Sequence, residues 1–216
     1  MQSSTPRGRR LISDYEALSS LARVTSAMSF EVSARGEGGI PESYFVTFYG
    51  PSLERIDTPF EYAIRIRENH QLLIVLGPQY PRLMPQLQWM TPIFHPNISL
   101  GGNVCLGGYS THWVPSLKLD HLCEMLWDMI CFRNYNLESP FNREAALWMQ
   151  EQKTFQFPLE HRSLRQMVRS GSPAPHFLSS TQGNTAAKSP FESTRVGLRR
   201  EEPIVVDDVV FFDDQK

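Results

Sequence analysis

The sequence predicts an α+β fold with one N-terminal helix, a four-stranded antiparallel meander, a loop and C-terminal helices. Three observations indicate this order. Apolar residues recur at helical spacing near the N-terminus, and helical spacing returns after about residue 116. Between these regions lie alternating runs of aromatic and β-branched residues, which favour strands. The runs follow one another at short spacing, which favours antiparallel pairing.

The first helix is predicted between Arg9 and about Ala27, because apolar residues recur there with the period of a helix. These residues are Leu11, Tyr15, Leu18, Leu21 and Ala22. Residues 1–8 are polar and are expected to be flexible. Arg9 and Arg10 are predicted to lie near the exposed start of the helix.

The runs with strand character begin with "FEVSARGEG" and "SYFVTFYGPS". The second run is expected to stop at Gly50 and Pro51, since Gly and Pro interrupt strands. The run "FEYAIRIREN" alternates strictly, and "QLLIVLGPQYP" is a short apolar run closed by Gly77 and Pro78. The last run, "PQLQWMTPIFHPNI", leads into a loop.

Helical spacing returns in "SLKLDHLCEMLWDMICFRN", which predicts a core helix with Asp120 in its first turn. A further helix is predicted to begin in "ESPFNREAALWMQEQKTFQ", with Ser139 as N-cap and Pro140 at the first helical position. The segment "LEHRSLRQMVRS" is expected to continue the helical region.

The composition changes near Ser170 to a stretch rich in Ser, Pro, Gly and Thr, which predicts disorder. The final stretch differs, because "PIVVDDVVFF" is β-branched and aromatic with acids in and around it. The predicted organisation is a flexible N-terminus at residues 1–8 and a folded domain at 9–169. A mostly disordered tail follows at 170–216, with a hydrophobic-acidic motif at 203–214.

The composition argues against several classes of function. The net charge of the 216 residues is −2, which gives no general argument for binding nucleic acid or an anionic membrane. No apolar run is long enough to span a membrane, and the N-terminus does not resemble a secretory signal. The three cysteines show no paired spacing, so a disulfide framework is not expected. We expect a monomer in the reducing cytoplasm, or also the nucleus in a eukaryote.

The segment "HPNISLGGNVCL", residues 95–106, places Cys105 just after a Gly-Gly corner. The local sequence alone supports two interpretations of Cys105 equally. It is either a reactive thiol or a small hydrophobic side chain packed in the core. Cys123 and Cys131 lie in the apolar helix and are predicted to be buried. No Cys-x-x-Cys or His-x-x-x-His pair accompanies them, so no metal site is expected.

The segment "TPIFHPNISLGGNVCL", with Trp113 eight residues after the cysteine and then Pro115, closely resembles the active-site region of ubiquitin-conjugating enzymes. In that family a His-Pro-Asn turn lies the same distance before the acceptor cysteine. The segments "YGP" at 49–51 and "YPRLMP" at 80–85 resemble the family's Gly-Pro strand end and Tyr-Pro edge. The resemblance covers about residues 9–151 and implies the family's fold.

The resemblance implies that Cys105 carries ubiquitin or a ubiquitin-like protein as a thioester and passes it to a lysine amine or a ligase. Asn97 would stabilise the thioester oxygen or hold the loop, and His95, Pro96 and Trp113 would support the loop. "CFRNYNLESPF" departs from the family's usual gate beside the cysteine, and both Ser139 and Glu138 remain candidates for the gate residue. No cofactor is implied, since ATP is used by the upstream activating enzyme.

The resemblance also implies partner surfaces. The activating enzyme would dock on the first helix, with Arg9 and Arg10 as candidate contacts. A ligase would contact this helix and the loops near Tyr80-Pro81 and Trp113. Separately, the tail motif at 203–214 suggests a strand that pairs with a ubiquitin-like modifier through Ile204, Val205 and Val206. The alternatives are that it packs on its own domain or is a degron-like disordered end.

Two other functions stay open at this point. The first is a non-catalytic relative that keeps the fold as a binding module in the same pathway. The second is a cysteine hydrolase, which would need a histidine within hydrogen-bond reach of Cys105. His95 and His112 are the nearby candidates in sequence.

Overall fold

The computed structural model describes residues 5–106 and 113–168 and the backbone of residues 210–212. The predicted order of a helix, an antiparallel meander and further helices is confirmed. The elements are α1 (Pro6–Val24), β1 (Met28–Arg35), β2 (Pro41–Asp57), β3 (Tyr62–Val75), β4 (Gln86–Trp89), α2 (Leu119–Ile130), α3 (Arg143–Glu151) and β5 (Val210–Phe212). Single turns of 3₁₀ helix lie at Glu37–Gly39 and Leu164–Gln166.

Helix α1 begins at Pro6, earlier than the predicted start at Arg9, and ends at Val24 rather than Ala27. The early start has a local cause, because Thr5 caps the helix by accepting a hydrogen bond from the Gly8 N–H at 3.0 Å. Proline at the first helical position loses no hydrogen bond there. The buried face of α1 includes Leu11, Leu18, Leu21 and one acid, Asp14.

The sheet runs β1-β2-β3-β4 with every neighbouring pair antiparallel. The prediction that β2 stops at Gly50 was wrong, since the strand continues to Asp57. Gly50 and Pro51 form a bulge in β2 that lets pairing with β3 resume at Ser52. Glycine is needed in this bulge because an added Cβ would overlap the Trp127 ring.

The runs "FEYAIRIREN" and "QLLIVLGPQYP" do not form separate strands, as the sequence suggested, but are parts of the long strand β3. Its middle residues keep their pairing with β2, as in the pairs of Tyr49 with Asn69 and Ser52 with Arg67. Strands β2 and β3 therefore form a long hairpin that extends well beyond β1 and β4. Thr58 and Glu61 close its turn through a backbone hydrogen bond of 2.8 Å.

The core has two parts. The larger part lies between the sheet and helices α1 and α2, and Tyr44, Phe48 and Trp127 are its largest fully buried side chains. The smaller part lies under the outer half of the long hairpin and helix α3. Its members include Leu53, Ile64, Phe94, Phe132, Ala145 and Trp148. The second core fixes the hairpin and α3 on the side of the fold that carries the His-Pro-Asn turn.

Two predictions about the C-terminal helices were wrong. Helix α3 begins at Arg143 and not at Pro140, because the side chain of Asn142 accepts the Ala145 N–H at 3.1 Å and caps the helix. The part of "LEHRSLRQMVRS" that the structure describes, residues 159–168, is mostly irregular rather than helical. Its backbone is instead tied to distant parts of the fold, for example by the Leu159 N–H to the Cys131 carbonyl at 2.9 Å.

Strand β5 adds a fifth strand to the sheet by pairing antiparallel with the start of β3. Phe212 lies opposite Tyr62, and Val210 lies opposite Ile64. Among the described residues, no helix is both long and apolar enough to cross a membrane.

Candidate active site

Cys105 is held in place by the His-Pro-Asn turn. Its backbone N–H donates to the Asn97 carbonyl at 2.9 Å, and Ile98 pairs with Val104 across the same turn. The chain reverses at Gly102, whose φ of +82° lies in the left-handed region. Cys105 itself is partly exposed.

Burial separates Cys105 from the other two cysteines. Cys123 and Cys131 are buried in and just after α2, as predicted. Burial raises the pKa of both thiols, so neither is a thiolate at neutral pH. Within the described ranges, no group of three His, Cys, Asp or Glu side chains could hold a metal ion.

His95 is fully buried and helps to build the turn. Its Nδ1 accepts the Asn97 N–H at 3.0 Å, and its ring packs against Phe132 with centroids 4.7 Å apart. Burial lowers the pKa of His95 to about 3, so the imidazole is neutral. His95 is therefore unsuited to act as the base of a cysteine hydrolase, and His112 lies outside the described residues.

Asn97 is 1% exposed, and its side chain forms a reciprocal pair with the backbone of Asn136. Its Nδ2 donates to the Asn136 carbonyl at 2.9 Å, and its Oδ1 accepts the Asn136 N–H at 2.7 Å. The carboxamide thus ties the turn before Cys105 to the loop after α2. Nδ2 uses one of its two N–H groups in this pair.

Asn136 is a site residue that the sequence analysis missed. Its Oδ1 accepts the N–H groups of Glu138 at 2.8 Å and Ser139 at 3.3 Å. An Asn side chain favours this kind of local turn, so the segment "NLES" could have predicted it. Asn136 therefore links both candidate gate residues, through Asn97, to the turn that holds Cys105.

The gate loop has a second tie to the turn. The Pro96 carbonyl accepts the N–H groups of Phe141 at 2.8 Å and Asn142 at 2.9 Å. Glu138 and Ser139 are both exposed on this loop. The structure brings both residues to the same loop, and both stay candidates for the gate residue.

Trp113 joins the segment after the cysteine to the Tyr-Pro edge. Its Nε1 donates to the Pro81 carbonyl at 2.7 Å, and its ring lies 5.9 Å from the Tyr80 ring. The contact connects two segments that the sequence analysis had associated only by resemblance. Residues 107–112 between Leu106 and Trp113 lie outside the described part of the chain.

The buried carboxylate of Asp14 organises this region from helix α1. It is 0% exposed and accepts hydrogen bonds from Arg10 Nε at 2.7 Å and from the Tyr80 hydroxyl. Its second oxygen accepts the Leu119 N–H at 3.3 Å. Since Lys118 gives α2 no side-chain cap, Asp14 supplies a cap from another helix.

The same network includes Arg10 and Tyr80, whose role as partner contacts stays a prediction. The Arg10 guanidinium also donates to the carbonyls of Pro115 and Leu117, so its donors are directed into the domain. Tyr80 is only 2% exposed. Arg9, by contrast, is exposed on α1.

The exposed apolar surface at the Tyr-Pro edge is carried by other residues. Leu83 is 58% exposed, Met84 is 41% exposed and Val114 is 50% exposed. They flank Pro81 and Trp113, which are joined by a hydrogen bond. The tail residues Ile204, Val205 and Val206 lie outside the described residues, and their role in modifier binding stays a prediction.

Comparison with known proteins identifies the family. The family model described as ubiquitin-conjugating enzyme matches residues 53–162. "Ubiquitin-conjugating enzyme E2 2" of Candida albicans is 29% identical over 143 residues, which cover 66% of this chain and 70% of that protein. "Probable NEDD8-conjugating enzyme Ubc12-like" of Arabidopsis thaliana is 30% identical over 128 residues, which cover 56% of this chain and 67% of that protein.

Among solved structures, "S. cerevisiae Ubc12" aligns with a TM-score of 0.49 and 23% identity, over 67% of this chain and 71% of that chain. The family model spans more than half of the sequence and includes the turn, the cysteine and the gate loop. The chain therefore belongs to the ubiquitin-conjugating enzyme family.

Proposed function

We propose that this chain carries ubiquitin or a ubiquitin-like protein as a thioester on Cys105 and passes it to a lysine amine or to a ligase. The observation that carries the proposal is the setting of Cys105. Its backbone is fixed by the Asn97 carbonyl while its side chain stays partly exposed. The other two cysteines are buried.

The chemistry requires two acyl transfers. The Cys105 thiolate attacks the thioester carbonyl on the activating enzyme, a new C–S bond forms and the activating enzyme's thiolate leaves. A lysine amine then attacks the Cys105 thioester, the amide bond forms, Cys105 leaves as thiolate and the amine loses a proton. The reaction at Cys105 needs no cofactor, since ATP is consumed earlier, in forming the first thioester.

The second transfer places negative charge on the thioester oxygen. We assign Asn97 to holding the loop, because its carboxamide is paired with Asn136. The remaining N–H of its Nδ2 is the candidate donor to the oxygen. Glu138 or Ser139 would orient the incoming amine. The rate at which the Cys105 thioester is discharged to free lysine, measured in Glu138→Gln and in Ser139→Ala, distinguishes the two candidates, because only loss of the gate residue should slow it.

Partner surfaces follow from exposure. The activating enzyme would contact α1, where Arg9 is exposed. A ligase would contact Leu83, Met84 and Val114, the exposed apolar residues beside the Tyr-Pro edge. The relatives' names include both ubiquitin and NEDD8 conjugation, so the modifier is left open by them.

The experiment incubates the full chain with a matched activating enzyme, ATP and a tagged modifier, using ubiquitin and ubiquitin-like proteins in turn. We expect an adduct that a thiol reductant removes. Cys105→Ala should abolish the adduct, and Cys105→Ser should make it resistant to the reductant, because an ester replaces the thioester. The absence of an adduct with every modifier would favour the alternative, a non-catalytic binding module.

A further inference from the structure

The long strand β3 has an open edge. Strand β4 pairs with β3 only from Leu72 to Val75. Gln71 is also occupied on this side, since its carbonyl accepts the Met90 N–H and its N–H donates to Thr91. Among the described residues, no strand pairs with positions 65–70 along this edge.

The backbone groups of this edge face outward. The backbone groups of residues two apart along a strand point to the same side, so those of Asn69 face the same edge as those of Gln71. The opposite strand agrees, because the Tyr49 N–H, across from Asn69, donates to the Ala27 carbonyl just before β1 and not to β3. No described strand pairs with positions 65–70 of this edge, but two of its carbonyls bind side chains of β3 itself. The Asn69 carbonyl accepts Arg67 Nε at 2.9 Å, and the Arg67 carbonyl bonds the His70 ring at 2.7 Å. A carbonyl oxygen can accept a second hydrogen bond, so an edge without a partner strand is still a template for another extended chain.

Strand β5 already occupies the far end of the edge. Its register pairs Ile64 with Val210, Ala63 with Phe211 and Tyr62 with Phe212. Because the pairing is antiparallel, a continuation of β5 to lower residue numbers would run toward the open positions. Continuing the register sets residues 204–209 opposite residues 65–70, which fills the gap up to Gln71.

The sequence before Val210 suits this placement. Pro203 would lie opposite Gln71, which is already bonded, and proline has no N–H to offer a further strand. Asp207 would lie directly opposite Arg67 and diagonal to Arg65, on the same face of the sheet.

Charge favours the same register. Both arginines are bound to Glu54, and their side chains are 31% and 52% exposed. Two guanidinium groups on one carboxylate leave a positive charge for an acid on the added strand.

We propose that residues 204–212 form one strand that lies along β3 of the same chain and completes the sheet edge. The occupant of the edge is thus this chain's own hydrophobic-acidic motif. The proposed strand would then contact its own domain through Ile204, Val205 and Val206. Binding of the same residues to a ubiquitin-like modifier would compete with their pairing to β3.

The test is cross-linking in the full chain with Cys105→Ser. Glu68→Cys combined with Val206→Cys places two thiols directly opposite each other, within the range of a disulfide. Glu68→Cys combined with Val205→Cys is the matched control, since one residue of slip turns a side chain to the other face. Mild oxidation is followed on a non-reducing gel and by peptide mass.

We expect the disulfide between positions 68 and 206 to form within one chain at a rate independent of protein concentration, and at least about tenfold faster than the control. Equal rates in the two pairs, or a faster control, would overturn the register. A disulfide that forms only between chains, and faster at higher protein concentration, would overturn pairing within one chain. It would indicate that the tail of one copy pairs with β3 of a second copy.

A second measurement needs no substitution. In the unmodified full chain, the amide proton of Asn69 should exchange slowly with solvent, because the added strand would accept it. Free exchange at Asn69 would overturn the proposal. Protection of the Asn69 amide that appears only after a modifier protein is added would also overturn the proposal, because the edge would then be open in the chain alone.

Discussion

Hydrogen bonds between a few side chains and the backbone decide the geometry around Cys105. Asn97 and Asn136 connect the turn before the cysteine with the loop that carries both candidate gate residues. His95 supports the turn as a neutral acceptor from within the core. The precision of the site therefore depends on residues that need not touch the reacting atoms.

Asn136→Ala should slow discharge of the Cys105 thioester to free lysine by about 10- to 100-fold, because a small displacement of the gate loop has a large kinetic cost. Loading of Cys105 should change little, since the Asn97 pair uses the backbone of residue 136. Single-turnover discharge on gels measures both steps. Asn136→Asp keeps the Oδ1 acceptor and should restore most of the rate; equal loss in both variants would contradict the turn mechanism.

Two helices depend on caps that the local sequence pattern did not predict. Helix α3 is capped by Asn142 rather than Ser139. Helix α2 keeps Asp120 in its first turn, as predicted, and its Leu119 N–H also donates to the carboxylate of Asp14, far away in the chain. The caps also join elements, because Asp14 binds Tyr80 and Arg10 while it faces the start of α2.

Asn142→Ala should lower the free energy of unfolding by about 1 kcal/mol, the usual effect of losing an N-cap. Ser139→Ala is the matched control and should change it by less than about 0.5 kcal/mol, as expected for an exposed site. Urea titrations of both variants measure the difference. A larger loss for Ser139→Ala would reinstate the cap that the sequence suggested.

Asp14→Asn should lower the free energy of unfolding by about 3 kcal/mol, because it leaves the largely buried Arg10 guanidinium without its charge partner. Arg9→Ala, on the exposed side of the same helix, should have an effect below about 0.5 kcal/mol. The measurement is again urea unfolding at neutral pH. Similar effects of the two variants would show that the Asp14 network adds little to stability.

The whole molecule is built on two cores, and a buried histidine lies in each region. His70 packs against Trp89 with ring centroids 6.0 Å apart, beside the larger core. His95 packs against Phe132 of the smaller core. Burial lowers the pKa of His70 to about 4 and that of His95 to about 3.

The stability of the whole fold should therefore fall as the pH drops below about 6.5. The unfolded chain takes up protons on both histidines near pH 6.5, whereas the folded chain takes them up only near pH 3 to 4. Each histidine should lower the free energy of unfolding by about 2 kcal/mol when the pH falls from about 7.5 to about 5.0. Well above about pH 6.5 this stabilisation is fully present.

Urea unfolding at about pH 7.5 and about pH 5.0 tests this dependence. The free energy of unfolding should differ between the two pH values about half as much in His70→Gln as in the unmodified chain. This holds whatever the effect of the substitution on stability at the higher pH. An unchanged difference would show that His70 is not a source of the pH dependence.

Much of the fold was predictable because its patterns are local. The amphipathic spacing of α1 and α2 and the alternation along the strands reflect which face of each element is buried. The boundaries were less predictable. Gly50 and Pro51 are strand breakers by type, but here a bulge accommodates them and Trp127 fills the space left by the glycine.

The sequence by itself determined the order of elements, the His-Pro-Asn turn and the cysteine that follows it, because these depend on residue type and spacing. Only the tertiary structure decided that Arg10 and Tyr80 face inward and that Asn136 joins the turn to the gate loop. It also decided that β5 pairs with β3. Each of these contacts joins residues far apart in the chain, and no local pattern encodes which distant partner a polar group will meet.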